Sequence, residues 1–210
     1  MSAAEVRDPQ SGKKRGRPSR RGEIVAATER LVRERGASAV TTRAIAQNVP
    51  CSEGAIYVHF KDRVDLLLAV LEESLPEMLV PLHALKAKVG EGTPEENLVT
   101  AVEGLRRFQE RVVVMLCSLA GEPELRDRFQ SALKEHGRGP QRGVGTLAEY
   151  INAEKLLGRI GLAVDDTTAA QMLMGSTFFQ VFCAGVLGDE LPLDVRRMVR
   201  MVIGLGLEAV

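Results

Sequence analysis

Six basic side chains are packed into the stretch KKRGRPSRR, residues 13–21, around a Gly-Arg-Pro step. The whole chain carries 28 Lys and Arg and 28 Asp and Glu, so its formal net charge is zero. These charges are unevenly placed: residues 13–63 hold 12 Lys and Arg against 5 Asp and Glu, whereas residues 64–210 hold 15 against 21. Because a polyanion is attracted to a dense group of cations, the N-terminal quarter is predicted to bind nucleic acid.

The segment after the basic stretch has the pattern of a helix. Ile24, Ala27 and Leu31 recur at helical spacing, and Gly36 stands where such a helix commonly ends. Thr41 is suited to cap a short second helix. These elements are the first candidates for positioning basic side chains on a nucleic acid.

A third short helix is predicted after a turn. Pro50 cannot comfortably continue the second helix, and Ser52 is suited to cap a new one. Two short helices joined by a tight turn and braced by a preceding helix form a helix-turn-helix, whose second helix can enter the major groove of DNA. The edges of the base pairs can be distinguished in that groove.

The rest of the chain is also predicted to be helical, because apolar residues recur at three and four positions and no strand pattern is present. Asp62 caps a fourth helix that is expected to run to Pro76, and the Gly-rich residues 136–145 are expected to form a mobile loop. The further predicted helices are 77–89, 95–118, 122–136, 146–157, 166–187 and 192–208. The predicted units are a basic disordered arm (1–20), a helix-turn-helix domain (21–63) and a larger helical domain (64–210).

Residues 20–72 resemble the DNA-binding domain of the tetracycline-repressor (TetR) family of bacterial transcription regulators. The residues that carry the resemblance are Ile24, Ala27, Leu31, Gly36, Thr41, Ile45, Ala46, Ser52, Gly54, Ile56, Tyr57, His59 and Phe60. The resemblance implies an all-α fold in which a three-helix DNA-binding domain precedes a helical domain that binds a ligand and dimerises. It implies a sequence-specific regulator, most simply a repressor released from a palindromic operator by a small molecule.

The resemblance also implies which residues meet double-stranded DNA. The residues implied to face DNA are Thr42, Arg43, Ser52, Glu53, Gly54 and Ala55, and those implied to hold phosphates are Tyr57, His59 and Lys61. A guanidinium can pair with guanine, and hydroxyl, imidazole and ammonium groups suit phosphate oxygens. Glu53 either accepts a hydrogen bond from cytosine or is simply solvated. For Tyr57 and His59 the alternative is packing between helices.

Two features of this segment need separate interpretation. The RGRP stretch resembles a minor-groove hook, in which Arg15 and Arg17 lie in a narrow A·T-rich groove; the alternative is a solubilising tail. In the turn, Val49-Pro50-Cys51 stands where the family usually has Ala-Gly-Val, which leaves the turn geometry open. Cys51 is either a small apolar residue or a redox switch.

The later helices are predicted to form the dimer and to hold the effector. A homodimer through residues 166–208 is expected, since two recognition helices are needed to read a palindrome. Inward-facing residues of the middle helices either enclose an apolar cavity or form plain core. The candidates for the cavity wall are Phe108, Met115, Tyr150, Met172, Phe178 and Phe182. The expected effector is a lipophilic or amphipathic small molecule.

Other functional classes are disfavoured by the sequence. It has no nucleophile elbow, zinc-protease motif or dinucleotide fingerprint, and His59, His83 and His136 are isolated, so neither a catalytic site, a metal nor a cofactor is predicted. The apolar runs are too short for a membrane span and the N-terminus lacks a signal-peptide pattern, which favours the cytoplasm. A transcriptional activator of the same fold and a nonspecific architectural DNA-binding protein remain as alternatives.

Overall fold

The computed structural model of the protein describes residues 19–135, 139–161, 163 and 165–204. Within these ranges the chain forms nine α-helices and no strand, which confirms the predicted all-α fold. The helices are α1 (Arg20–Arg35), α2 (Thr42–Ala46), α3 (Glu53–His59), α4 (Arg63–Lys86), α5 (Pro94–Ser118), α6 (Pro123–Glu135), α7 (Pro140–Leu156), α8 (Asp166–Phe182) and α9 (Val195–Val202). A π-helical turn, Cys183–Leu187, extends α8.

Side-chain caps begin the early helices as the sequence predicts. Thr41, Ser52 and Asp62 each accept a hydrogen bond from the backbone N–H three residues later, and so begin α2, α3 and α4. Each cap satisfies one of the backbone donors that the first turn of a helix leaves unpaired. The first helix ends at Gly36, whose positive φ of 79° is one that glycine adopts without strain.

The prediction that a helix ends at Pro76 is wrong. Helix α4 runs unbroken through Pro76 and Pro81, and the predicted helix 77–89 is its second half. Because Pro81 has no N–H, the carbonyl of Glu77 lacks its usual helical donor. Close packing on α5 holds this part of the helix: a Cβ on Gly104 would lie 2.3 Å from Pro81 Cγ and 2.6 Å from the carbonyl oxygen of Glu77.

The Gly-rich segment 136–145 is also shorter as a connection than predicted. Helix α7 already begins at Pro140, after the cap position Gly139. Proline suits the first position of a helix, because its φ is preset and its missing N–H would be unpaired there in any case. Residues 136–138 lie outside the described residues.

Two apolar cores lie along the bundle. The first joins α1–α4 to the last turns of α5 and to α6, where Met115 and Phe129 are buried in the same core as Ile24 and Ile56. The second is formed by the later half of α4 with α5, α7, α8 and α9. The first core therefore continues across the predicted domain boundary at residue 63, and helices of both predicted domains share it.

One segment satisfies the length and composition of a membrane-spanning helix. It is Asp166–Leu187, with 22 residues and a mean hydropathy of 1.4 in its most apolar window, 28% of which is buried within the described chain. The core helix of a soluble protein passes the same test, so length and composition alone are weak evidence for a membrane span. The inner face of this segment packs on α5 and α7 in the bundle.

Candidate nucleic-acid interface and effector cavity

The turn between α2 and α3 accommodates Pro50 without a left-handed residue. The Cys51 N–H donates to the carbonyl oxygen of Val49 at 2.7 Å, which closes a three-residue turn around Pro50. The φ that proline enforces suits the central residue of such a turn. Val49 is buried between the helices with Ile45 and Ile56, so α2 and α3 form a compact pair despite the unusual turn.

The opposite face of this pair is polar and open to solvent. The predicted DNA contacts that are exposed are Arg43, Ser52, Glu53, Gly54, Tyr57, His59 and Lys61, and those that are half-buried are Thr42 and Ala55. Tyr57 exposes 60% of its surface, so it does not serve as a packing residue between helices. This surface therefore presents the guanidinium of Arg43 on α2 beside the hydroxyl, imidazole and ammonium groups at the start and end of α3.

A hydrogen bond joins the starts of α2 and α3, which are both predicted to face DNA. The Thr42 hydroxyl donates to Glu53 Oε2 at 2.7 Å. Glu53 is therefore not a lone solvated carboxylate, because one of its oxygens holds α2 against α3. The exposed Glu53 side chain lies in the first turn of α3, where a negative charge stabilises the helix.

The predicted arm, residues 1–20, lies outside the described residues except for Ser19, which caps α1, and Arg20, which begins it. Arg15 and Arg17 lie outside the described residues. At the start of α1, the Arg21 guanidinium stacks 5.4 Å from the centre of the Phe60 ring and lies 3.6 Å from Glu72 and from Glu73. These contacts hold the start of α1 against α4 and against Phe60, the residue that ends α3.

Polar contacts join α1 and the residue after its C-cap to α5. Arg111 of α5 donates to both carboxylate oxygens of Glu29 in α1, at 3.0 and 2.7 Å. These hydrogen bonds raise the pKa of Arg111 above its usual value. Downstream of Gly36, the Ala37 N–H donates to Ser118 Oγ at 3.0 Å. Both contacts connect α5 to residues in and directly after α1.

A second group of contacts joins the start of α4 to α6. Arg128 pairs with the capping residue Asp62, and Arg63 pairs with Glu122, which directly precedes α6. Burial raises the pKa of Asp62, but the N–H of Asp65 and the guanidinium of Arg128 outweigh it, and the pKa lies below its usual value. The charged carboxylate is thus the stable form at neutral pH.

A cavity of about 480 Å³ lies between α4, α5, α6, α7 and α8. Its wall is apolar: Leu71 and Met78 of α4 and Leu133 of α6 line it, together with the predicted residues Phe108 and Phe178. Phe108 and Leu133 also pack against the first core. A molecule in the cavity would therefore touch side chains that contact the core of α1–α4.

The other four residues predicted for the cavity lie elsewhere. Met115 is fully buried in the first core. Tyr150 is in the second core, where its hydroxyl accepts a hydrogen bond from Asn97 at 2.9 Å and burial raises its pKa to about 12. Met172 is exposed on α8, and the half-buried ring of Phe182 stacks on Phe178 with 6.4 Å between ring centres.

Gln109 of α5 is a cavity residue that the sequence analysis did not single out. Its amide Nε2 donates to the carbonyl oxygen of Met174 at 3.1 Å, and only 5% of the residue is exposed. The signal in the sequence is a polar residue in an inward-facing position of α5. That signal alone does not distinguish a cavity wall from a buried hydrogen bond in a core.

Helices α8 and α9 present large apolar side chains to solvent. The most exposed of them are Met172, Phe179, Leu187 and Met201, each with more than half of its surface accessible in the single chain. They lie within the segment predicted to dimerise. Such an outward apolar face is typical of a surface that a partner covers.

Residues 24–70 match the model of a family described as bacterial regulatory proteins, tetR family. This range contains α2, the turn and α3. This segment is similar to the DNA-binding region of the tetR family. Its paired short helices are thus the DNA-binding element of a bacterial transcriptional regulator, in agreement with the prediction from sequence.

Similar proteins match this chain over nearly its whole length. It is 26% identical over 196 residues to the HTH-type transcriptional repressor BepR of Brucella suis biovar 1, which covers 86% of this chain and 88% of BepR. In fold it is similar to the fatty acid degradation regulator FadR from Bacillus halodurans, with 21% identity, a TM-score of 0.60 and coverage of 90% and 95% of the two chains. It is also similar to FadR from Bacillus subtilis in complex with stearoyl-CoA, with 20% identity, a TM-score of 0.58 and coverage of 87% and 95%.

Proposed function

We propose that the protein is a homodimeric repressor that leaves a palindromic operator when a small lipophilic molecule fills the cavity. The observation that carries the proposal is the exposed polar face of α2 and α3 in a segment that matches the tetR family, with Arg43 making no ion pair among the described residues. In this proposal residues 21–63 form the DNA-binding unit, and residues 64–210 bind the effector and dimerise. The protein acts in the cytoplasm, where its DNA is.

The dimer is supported by the apolar outer face of α8 and α9. In a dimer with its twofold axis beside α8, the second subunit would cover Phe179 and Met172. Exposure of these apolar side chains to water is unfavourable in a monomer. Two recognition helices held in this way must match successive major grooves, about 34–36 Å apart. Affinity for a palindrome then depends on the geometry of the whole dimer.

Release by an effector is supported by two helices, α4 and α6, that line the cavity and also contact the DNA-binding unit. Helix α4 lines the cavity and begins directly after α3, and α6 lines it through Leu133 while Arg128 of the same helix holds Asp62. A ligand that binds one arrangement of these helices better than another shifts the population toward it. If that arrangement no longer fits the groove spacing, DNA dissociates.

Repression rather than activation is supported by the relative from Brucella suis, which is named as a transcriptional repressor. A promoter test distinguishes the two. With the recognised sequence placed across a constitutive promoter, expression of this protein should lower reporter output. Higher output would assign the chain to activators of the same fold.

A selection from random duplex DNA tests the DNA-binding part. We expect the full chain to enrich one palindromic sequence, with half-sites spaced by about one helical turn. The Arg43→Ala variant should enrich that sequence poorly, because it lacks the guanidinium proposed to read bases. Recovery of DNA without any common motif would contradict the proposal and favour an architectural protein.

A further inference from the structure

Gln109 offers a buried hydrogen-bond acceptor at the cavity wall. The carbonyl oxygen of Met174 can only accept, so the amide nitrogen of Gln109 must face it, which leaves the amide oxygen Oε1 for other partners. No donor from the described residues lies within hydrogen-bond range of this oxygen. Leaving a buried acceptor unpaired costs free energy, and a ligand with a donor could recover it.

The rest of the described cavity wall limits what that ligand can be. None of the described lining residues is acidic or basic, and the only other polar side chain is that of Gln171, which is exposed. A charged group would be buried there without a counter-ion, which is strongly unfavourable. Stearoyl-CoA, found in the similar FadR structure, carries phosphate charges for which this described wall has no partner.

We infer that the effector is an uncharged lipophile that carries one hydrogen-bond donor, a hydroxyl or N–H, and donates it to Gln109 Oε1. This inference rests on the proposed effector cavity and specifies its ligand class. Apolar contacts supply most of the affinity, whereas Gln109 selects among molecules of similar shape. Because Gln109 also bonds to Met174 of α8, ligand binding at this point reaches both α5 and α8.

Three probes with the same apolar chain separate the requirements: decanol has a donor, its methyl ether has only an acceptor, and decanoate is charged at neutral pH. Their binding to the full chain is measured by calorimetry and by displacement of the neutral dye Nile red. We expect decanol to bind about 3- to 10-fold more tightly than the ether, which corresponds to one net hydrogen bond. Decanoate should bind most weakly.

The Gln109→Met variant tests whether Gln109 causes the selectivity. Methionine is unbranched and of similar length, so it keeps the wall filled while removing the acceptor. We expect the variant to bind decanol and the ether equally well. The control is Gln130→Met, a change on the exposed face of α6 outside the cavity, which should keep the wild-type preference. Thermal melting of both variants shows whether each is folded.

The outcomes separate this inference from the proposed function. Three results with the wild-type chain would overturn the inference: equal binding of decanol and ether, tighter binding of decanoate, or no binding of any probe. These results do not depend on whether a variant folds. A preference that Gln109→Met abolishes supports it. Whether decanol also releases DNA is measured separately by anisotropy: a Gln109-dependent preference without release would sustain this ligand class and contradict the release step of the proposed function.

Discussion

At the scale of single residues, Arg43 is the side chain with the clearest predicted role in reading bases. It is exposed on α2, and no described residue neutralises it. We expect Arg43→Ala to lower the affinity for the selected palindrome by about 1–3 kcal/mol, roughly 5- to 150-fold, because the proposed bidentate contact to guanine is lost. Anisotropy titrations on the palindrome and on a scrambled duplex measure this change.

The control for Arg43 is Arg33→Ala, which removes the same charge from the exposed last turn of α1. We expect it to have little effect on the preference for the palindrome. An equal loss for both variants on both duplexes would mean that Arg43 acts only through general attraction to phosphates.

The packing of the protein does not explain why residue 54 is a glycine. It lies in α3, is exposed, and an added Cβ would approach only Ser52 Oγ, at 3.9 Å. Since glycine inside a helix is less stable than alanine by about 0.5–1 kcal/mol, Gly54→Ala should raise the melting temperature slightly. It should also weaken DNA binding, because the extra methyl group would stand where the duplex is predicted to approach.

Melting and anisotropy on the same preparation check both parts of the Gly54 prediction. A comparable stabilisation is expected for Gly145→Ala in α7, where a Cβ also meets open space and no DNA contact is predicted. If Gly54→Ala left DNA affinity unchanged, the close approach of DNA at this position would be ruled out.

At the scale of helices, the contact between α4 and α5 depends on Gly104. A Cβ there would lie 2.3 Å from Pro81 Cγ, and backbone is also within 2.6 Å, so the helices must separate to admit it. We expect Gly104→Ala to lower the free energy of unfolding by about 1–3 kcal/mol, opposite in sign to the usual gain from replacing a helical glycine. Denaturant unfolding beside Gly145→Ala measures the difference; stabilisation by both variants would contradict the packing.

The helices also show which parts of the fold a sequence can predict. Caps such as Thr41 and Ser52 depend on atoms a few residues away, and their prediction is confirmed. The course of α4 through Pro76 depends instead on packing against α5, which no local pattern reveals. Local rules for proline therefore give the wrong helix end.

In the candidate sites, too, local patterns are predictable from the sequence, whereas contacts between distant helices are not. Helical spacing predicts which residues face inward, but it does not distinguish a core from a cavity wall. Phe108 therefore lines the cavity, whereas Met115, two turns later on α5, fills the first core. The DNA-facing set came from family resemblance, since exposed polar residues at helix starts have no periodic signal of their own. The role of Gln109 could not be predicted from the sequence, because it depends on the cavity and on the hydrogen bond to Met174 of α8.

At the scale of the whole molecule, the dimer should depend on the outward face of α8. Phe179 exposes 59% of its surface in the single chain, and a carboxylate there would be buried without a partner in a dimer. We expect Phe179→Asp to give monomers by light scattering, with helical content retained and affinity for the palindrome reduced at least ~100-fold, because two half-sites no longer bind together.

The matched change is Val80→Asp, at an exposed apolar position of α4. We expect this variant to remain dimeric and to bind the palindrome as the wild type does. A Phe179→Asp protein that is still dimeric would place the subunit interface elsewhere.

Binding of the full chain to the selected palindrome, compared with a scrambled duplex over a salt series, tests the account most directly. Fluorescence anisotropy should give an affinity for the palindrome at least ~10³-fold above that for the scrambled duplex at physiological salt. Both affinities should fall with rising salt, since phosphate contacts release counter-ions. Equal affinity for the two duplexes at every salt concentration would contradict the claim that α2 and α3 read a sequence.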